Sequence, residues 1–154
     1  MSRLRALDLL IATLWVGSLW TVGYLVAPTL FATLADRVLA GTIAASIFRI
    51  EAWLSLGCAL SLLALLLTRG KLAELPDKRQ GVRFSALWLV VAMAACTLIG
   101  YFGLQPFMAA IREAAGGREM TGDPRLYFGL LHGAASFIYL VQSLLGLALI
   151  LKLR

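Results

Sequence analysis

Three side chains that could do chemistry interrupt otherwise apolar stretches of the chain: Glu51, Gln105 and His132. An ionisable group at membrane depth costs about 2.5–3.5 kcal/mol on insertion scales, so such groups are rare unless they face protein or water. A carboxylate, an amide and an imidazole that meet could bind a cation or a small polar molecule, or pass a proton, because histidine changes charge near neutral pH. In the competing interpretation, these side chains only hydrogen-bond neighbouring helices.

His132 also begins a polar helix face. Ser136, Tyr139 and Ser143 follow it by four, seven and eleven residues, a spacing that places all of them on one side of a helix. Hydrogen bonding between helices is the role expected for these three hydroxyl groups. We hypothesise a ligand-binding or ion-binding site that combines part of this face with the polar residues of the other stretches. Its members are Glu51, Tyr101, Gln105, His132, Ser136 and Tyr139.

Metal-binding and catalytic motifs are sparse. The chain has one histidine and two cysteines, Cys58 and Cys96, which lie on different apolar stretches, so neither a disulfide framework nor a structural zinc site is expected. Soft-metal binding through these cysteines, Met93 and Met108 is conceivable, although such residues more often fill a core. Haem, quinone or a metal ion remain possible cofactors, with His132 as an axial haem ligand. No catalytic residue is assigned, and a non-enzymatic role is favoured.

Membrane-spanning helices must position these residues. Hydrophobic residues make up 61% of the 154 residues and charged residues 14%, against roughly 45–50% (glycine included) and about 25% in ordinary soluble domains. Four nearly uncharged stretches are long enough to cross a bilayer. We therefore predict an all-α integral membrane four-helix bundle, built as a single membrane domain over residues 1–154. Its spans are predicted near residues 9–27, 43–67, 84–103 and 127–151.

The distribution of basic residues predicts the orientation. Nine lysines and arginines flank the spans on the side of the two termini, and five lie on the opposite side among acidic residues. Because basic residues favour the cytoplasmic side, we expect both termini to lie in the cytoplasm. Lipid contacts then explain the net charge of +6, and nucleic-acid binding is not expected. The first stretch could also be a signal peptide, but its length favours a retained helix.

The first and third spans end in similar segments. Gly23-Tyr24 precedes Pro28, and Gly100-Tyr101 precedes Pro106 with one additional residue between. Apolar residues recur at helical spacing after each proline, which predicts helices that continue into, or lie along, the outer interface. Glycine-rich segments near residues 116–117 and 121–124 predict a loop and a new helix start. The connection over residues 69–83, which contains Pro76, is predicted to be a polar loop.

The second and fourth spans also correspond. Three positions of the second span match three of the fourth in spacing, at a constant offset of 81 residues, and the middle position is serine in both. The pairs are Glu51 and His132, Ser55 and Ser136, and Cys58 and Tyr139. Together with the Gly-Tyr segments, this correspondence predicts two parallel helical-hairpin repeats. In such a repeat, Glu51 and His132 are equivalent and face a common axis.

Tryptophans and small residues suggest how the helices pack. Trp15 is expected at a membrane interface, whereas Trp20 and Trp53 are expected to pack inside the bundle. Small residues at four-residue spacing on the first span would let another helix approach closely and are a possible homodimer contact. These residues are Thr13, Gly17 and Thr21.

Four motifs are spread over residues 15–136: the stretch from Trp15-Val16-Gly17 to Pro28, Phe48 with its neighbours up to Trp53, the Gln105-Pro106 pair, and Leu131-His132-Gly133-Ala134-Ala135-Ser136. Together they resemble the transmembrane protein 205-like family of four-span membrane proteins, which includes bacterial inner-membrane members with a domain of unknown function. The resemblance therefore implies a bacterial inner-membrane protein. Animal members carry an acidic residue where Gln105 stands and a histidine near Glu51, so the resemblance does not carry over a fixed metal site. Because animal members are associated with resistance to a platinum drug, the resemblance implies a part in handling or exporting a toxic metal or small molecule.

Three functional hypotheses remain open. The leading one is a small transport or resistance protein that handles a cation or small solute at an outer-half polar site. Since four helices leave little room for a pore, such a transporter would work as a homodimer. The second is an accessory or assembly subunit that binds another membrane protein, and the third is a haem-binding or quinone-binding redox protein that uses His132. The lipid bilayer is the expected surrounding in each case.

Overall fold

Helices form almost all of the protein. The computed structural model describes residues 3–72, 77–118 and 120–154, and these ranges contain no β-strand. Two of the four spans are composite, because a π-helical segment joins a long α-helix to a short one. In chain order, the elements are α1 (Arg3–Trp20), a first π-helical segment (Thr21–Val26), α2 (Ala27–Thr33), α3 (Arg37–Leu72), α4 (Asp77–Thr97), a second π-helical segment (Leu98–Leu104), α5 (Gln105–Ala114) and α6 (Asp123–Leu153).

These elements make four apolar helical stretches that are long enough to cross a membrane: Arg5–Thr33, Arg37–Thr68, Gly81–Ala114 and Asp123–Leu153. Each contains the span predicted for it, so the all-α four-helix membrane bundle is confirmed. Short connections make successive spans antiparallel. Because the first and fourth spans also pack together, the four spans form a closed ring. The end that holds α2 and α5 is termed the short-helix end, and the opposite end is termed the terminal end.

Each π-helical segment lies close to a proline, Pro28 or Pro106. Proline has no amide hydrogen, and its ring clashes with the carbonyl group four residues earlier in an α-helix. Those carbonyl groups belong to Tyr24 and Phe102, which lie within the π-helical segments. The wider π-helical turn relieves this clash and lets the helix continue into α2 or α5. The two segments coincide with the repeated Gly-Tyr motifs, which supports the predicted repeat.

The connections follow from local side-chain chemistry. Asp36 caps the start of α3, because its Oδ1 accepts hydrogen bonds from the amides of Val38 and Leu39 at 2.9 and 3.0 Å. Gly122 adopts a φ of 66° directly before α6, and Pro124 occupies the first turn of that helix, where proline is tolerated. These features agree with the predicted loop and helix start.

The predicted loop over residues 69–83 is wrong for most of its length. Helix α3 continues to Leu72 and α4 begins at Asp77, so helix occupies residues that were expected to be irregular. Lysine, arginine and glutamine favour helix almost as strongly as leucine does, and their polarity therefore does not end a helix. Pro76 lies outside the described residues.

The terminal half of the bundle has a densely packed core. Large apolar side chains from all four spans meet there with no exposed surface: Trp15, Leu19, Leu62, Val90, Met93 and Leu149. Gly146 allows α6 to lie close to α1, since a Cβ at this position would come within 2.7 Å of the Val16 side chain. This half of the bundle therefore has little free space.

Two expectations about aromatic residues are wrong. Trp15 is fully buried, because its indole N–H has a partner inside the bundle in the Ser55 hydroxyl and does not need the headgroup region. Trp20 and Trp53 are 42% and 62% exposed, so both lie on the outer surface of the bundle. Gly17 also faces outward, with no atom within 4 Å of a Cβ built on it. The small-residue stripe therefore does not serve packing within this chain.

Candidate functional site

A cavity of about 980 Å³ occupies the short-helix half of the bundle. All four spans contribute to its walls, and all six residues predicted for the site line it: Glu51, Tyr101, Gln105, His132, Ser136 and Tyr139. The cavity extends to Gly117 and Arg118 in the exposed loop after α5. At its other end it reaches buried or partly buried polar residues next to the core. These residues, Glu51, Thr97, Tyr139 and Gln142, are termed the cavity floor.

Glu51 is held in place from the core side. It is only 6% exposed, and its Oε1 accepts a 2.7 Å hydrogen bond from the hydroxyl group of Ser55, one turn further along α3. Ser55 is fully buried and itself accepts a 2.7 Å hydrogen bond from Trp15 Nε1 on α1. The carboxylate therefore has a fixed orientation at the junction of the cavity and the core.

Gln142 and Thr97 form a second polar contact across the floor. Gln142 Nε2 donates a 2.9 Å hydrogen bond to Thr97 Oγ1, which in turn donates to the Met93 carbonyl group at 3.3 Å. Both side chains are buried. Because α4 and α6 each contribute one partner, this contact closes the floor between the third and fourth spans.

Tyr139 contributes an aromatic wall. Its hydroxyl group donates a 2.7 Å hydrogen bond to the carbonyl group of Leu19, and its ring packs edge-on against Phe48 with centroids 5.6 Å apart. A Cβ at position 23 would overlap this ring, so the glycine there makes room for Tyr139. The interhelical hydrogen bonding expected of Tyr139 is present.

Ser143 and Ser136 differ in their contacts. Ser143 is buried and accepts a 3.0 Å hydrogen bond from the hydroxyl group of Tyr24, which links α6 to the first span as expected. Ser136 instead donates to the carbonyl group of His132, four residues earlier on its own helix, at 2.8 Å. The expectation that Ser136 connects two helices is therefore wrong, because a serine hydroxyl within a helix can reach its own backbone.

His132 and Gln105 lie closer to the short-helix end of the cavity than Glu51 does. The imidazole of His132 is largely exposed and stacks on the ring of Phe128, with centroids 6.1 Å apart and planes within 6°. Gln105 is half-buried at the start of α5. Within the described part of the chain, Glu51, Gln105 and His132 share the cavity but do not hydrogen-bond one another. A ligand could therefore contact Gln105 and His132 near the short-helix end and Glu51 at the floor.

Four arginines whose positions in the sequence indicated only an orientation signal also line the cavity. They come from the start of α3, the end of α5, the following loop and the first turn of α6. Their shared position at the short-helix end was visible in the sequence, but their convergence was not. The four residues, Arg37, Arg112, Arg118 and Arg125, are termed the cavity rim.

The sulfur-containing residues do not form one cluster. Cys96 and Met108 line the cavity, whereas Cys58 and Met93 belong to the core. Both cysteines are free thiols. Among the residues that the structure describes, no group of three histidine, cysteine, aspartate or glutamate residues could hold a metal ion. The geometry therefore offers the cavity, rather than a metal centre, as the candidate site.

Comparison with known proteins places the chain in a family. No curated protein matches it, and no solved structure does. The sequence model of one family matches residues 10–116, which include Glu51, Tyr101 and Gln105 but end before α6 and His132. The match covers more than half of the chain. The chain therefore belongs to the family described as Domain of unknown function (DUF4149).

Proposed function

We propose that this protein is a small transport or resistance protein of a bacterial inner membrane, with both termini in the cytoplasm. In this proposal, the cavity receives a small solute from the outer side of the membrane. The observation that carries the proposal is a cavity of about 980 Å³ that is lined by polar groups from separate spans, while the other half of the bundle is a packed core.

The size and lining of the cavity favour a ligand-binding role over a purely structural one. Ligand pockets typically have volumes of roughly 300–1,000 Å³, apolar walls and a few polar groups that orient the ligand. A bundle that used polar residues only to join its helices would have no reason to leave this volume unfilled, because protein interiors pack densely. Glu51 supports the same reading, since its carboxylate lines the cavity while Ser55 fixes its orientation.

A transporter in a single conformation opens its binding cavity to one side of the membrane at a time, and a cavity in one half of the bundle fits this behaviour. The short-helix half is hollow, whereas fully buried side chains such as Trp15, Leu62 and Met93 close the terminal half. Passage to the other side would require these side chains to separate, or a second copy of the chain to provide the remaining path. A permanently open pore is not part of the proposal.

The charges at the entrance favour a small solute over a free cation. Four arginines line the described part of the cavity, against one carboxylate at the floor. A cation that approached from the short-helix end would pass the positive charges first, and like charges repel. The resistance part of the proposal comes from the resemblance to the transmembrane protein 205-like family.

Filling the cavity tests the proposal. Ala135 lines the cavity, whereas its neighbour Ala134 is exposed and does not. A bacterial strain without its own copy would be complemented with the wild type, Ala135→Trp or Ala134→Trp at matched membrane levels. Tolerance would be measured against a panel of toxic amphiphilic compounds and cisplatin, together with the accumulation of each compound in the cells.

We expect Ala135→Trp to abolish the tolerance that the wild type confers and Ala134→Trp to preserve it. Equal tolerance and accumulation in the wild type, Ala135→Trp and empty-vector strains would overturn the proposal. Loss of tolerance in both tryptophan variants would also count against it, because the effect would then not depend on the cavity.

A further inference from the structure

We infer that the ligand is an amphipathic anion whose negatively charged head binds the cavity rim and whose apolar body lies in the cavity below. This inference rests on the proposed function, because it names the class of solute for the same cavity. Three observations carry it: the origin of the rim arginines, the position of the single carboxylate, and the nature of the walls between them.

The rim brings together charges that are separate in the sequence. Its four arginines lie on α3, α5, the loop after α5 and α6, yet all four line one cavity. Within the described residues, no carboxylate pairs with any of these guanidinium groups. Arg112 lies 5.7 Å above the centre of the Phe128 ring, a cation–π contact that leaves its N–H groups available. Guanidinium groups bind carboxylate and phosphate groups through paired hydrogen bonds.

The two ends of the cavity differ in their ionisable groups, with arginines at the rim and one carboxyl group at the floor. Glu51 lies at the floor, 14 residues after Arg37 on the same helix, which corresponds to about 21 Å at 1.5 Å per residue. An anionic head at the floor would lie beside the Glu51 carboxyl group, whereas at the rim the charged side chains that line the described part of the cavity are arginines. The electrostatic arrangement therefore orients an anion with its charge toward the short-helix end.

The space between rim and floor suits an apolar body. Its walls contain Phe31, Ala45, Phe48, Met108 and Ile138. Three of the four floor residues already bond to one another or to the backbone: Gln142 donates to Thr97, Thr97 to the Met93 carbonyl group, and Tyr139 to the Leu19 carbonyl group. A purely inorganic anion would leave these walls without a ligand, so the ligand carries an apolar part as well as a charge.

Protection of Cys96 provides a direct test, because this thiol lines the cavity whereas Cys58 is in the core. The full chain with Cys58→Ser, in lipid nanodiscs, would be treated with N-ethylmaleimide, and the rate of Cys96 modification would be followed by mass spectrometry. Dodecyl phosphate, dodecanol and dodecyltrimethylammonium would be compared as protecting probes, since they share one tail and differ in charge. Inorganic phosphate would test the head alone, and lysophosphatidate in the nanodisc lipids would test delivery from the bilayer.

We expect dodecyl phosphate to protect Cys96 at a concentration at least about tenfold lower than dodecanol does, as a charge-assisted hydrogen bond would predict. In the variant Arg37→Gln/Arg118→Gln/Arg125→Gln, this preference should disappear. These three arginines are exposed, so their replacement should leave the fold intact. Arg49 is also exposed but does not line the cavity, and Arg49→Gln should retain the preference.

Three outcomes would overturn the inference: protection by dodecyltrimethylammonium at equal or lower concentration, protection by inorganic phosphate as strong as by dodecyl phosphate, or no protection by any of the probes. None of them would decide the proposed function, which the tolerance of the Ala135→Trp strain tests without any probe. Protection by lysophosphatidate but not by dodecyl phosphate added from water would support an anionic lipid as the ligand.

Discussion

Ser55 Oγ donates a 2.7 Å hydrogen bond to Glu51 Oε1 while it accepts one of the same length from Trp15 Nε1. The three side chains thus form a continuous line from the packed core of the terminal half to the wall of the cavity. Ser55 is fully buried, so its hydroxyl group has no contact with solvent. A single hydroxyl group therefore joins the part of the bundle that provides stability to the residue proposed to face the ligand.

Replacing Ser55 by alanine should destabilise the protein by about 1–3 kcal/mol, because the buried indole N–H loses its acceptor and the carboxylate loses its donor. The measurement is chemical unfolding in detergent, followed by tryptophan fluorescence. Ser61 provides the control: it is exposed on the same helix, and its hydroxyl bonds only to the Gly57 backbone. Equal midpoints for Ser55→Ala and Ser61→Ala would contradict the assigned role of Ser55.

Glu51→Gln should leave the fold intact and abolish tolerance in the complemented strain. The amide oxygen of glutamine can still accept the Ser55 hydrogen bond, so the geometry of the floor is kept while the ionisable group is removed.

His132→Ala should change the unfolding free energy by no more than about 0.5 kcal/mol, because the imidazole is exposed. If either variant unfolds readily instead, its side chain serves the structure rather than the ligand.

Gly23→Ala should destabilise the bundle by about 1–3 kcal/mol, since its Cβ would overlap the Tyr139 ring and force it to move. Gly57→Ala is the matched control: a Cβ at this position meets no atom within 4 Å, and the expected change is within about 0.5 kcal/mol. Combining Gly23→Ala with Tyr139→Ala should cost less than the sum of the two single changes. Strict additivity would show that the clash does not govern stability.

Cys96 should react with a membrane-impermeant, negatively charged methanethiosulfonate added to the outer face at least about tenfold faster than Cys58, which becomes accessible only when the core opens. Single-cysteine variants, Cys58→Ser and Cys96→Ser, allow each rate to be measured separately. Because of the rim arginines, the corresponding positively charged reagent should react with Cys96 more slowly. Reaction of Cys96 exclusively from the cytoplasmic face would show that the proposed orientation is inverted.

The spans and the predicted cavity residues follow from one physical rule. Polar side chains such as Glu51 and Gln105 raise the free energy of inserting an apolar stretch into the bilayer. Their positions in the sequence therefore already indicate a location that faces protein or water rather than lipid. Pro28 and Pro106 likewise marked the segments where each composite span continues into a short helix, but the π-helical winding beside them was not predicted. The four spans depend on local sequence, and local sequence was sufficient to predict them.

Features that depend on convergence could not be predicted in the same way. The rim arginines lie in or beside connections, where a basic residue already has an ordinary explanation as an orientation signal. Trp15 was misplaced because its hydrogen-bond partner is Ser55, 40 positions later on another span. Neither the convergence of the four arginines nor the Trp15–Ser55 hydrogen bond produces a periodic pattern in the sequence. Both become visible only in the folded structure.

The two π-helical segments differ in length, with six residues over Thr21–Val26 and seven over Leu98–Leu104. Three residues separate Tyr24 from Pro28, whereas four separate Tyr101 from Pro106. The longer π-helical segment contains this additional residue. A widened turn can absorb an insertion without rotating the rest of the helix, whereas an insertion in a regular α-helix would turn every later side chain by about 100°. If the two halves descend from one duplicated hairpin, their alignment places a one-residue gap inside this turn and a second gap of three residues between the proline and the following span, because the offset is 78 residues from Pro28 to Pro106 and 81 from Glu51 to His132.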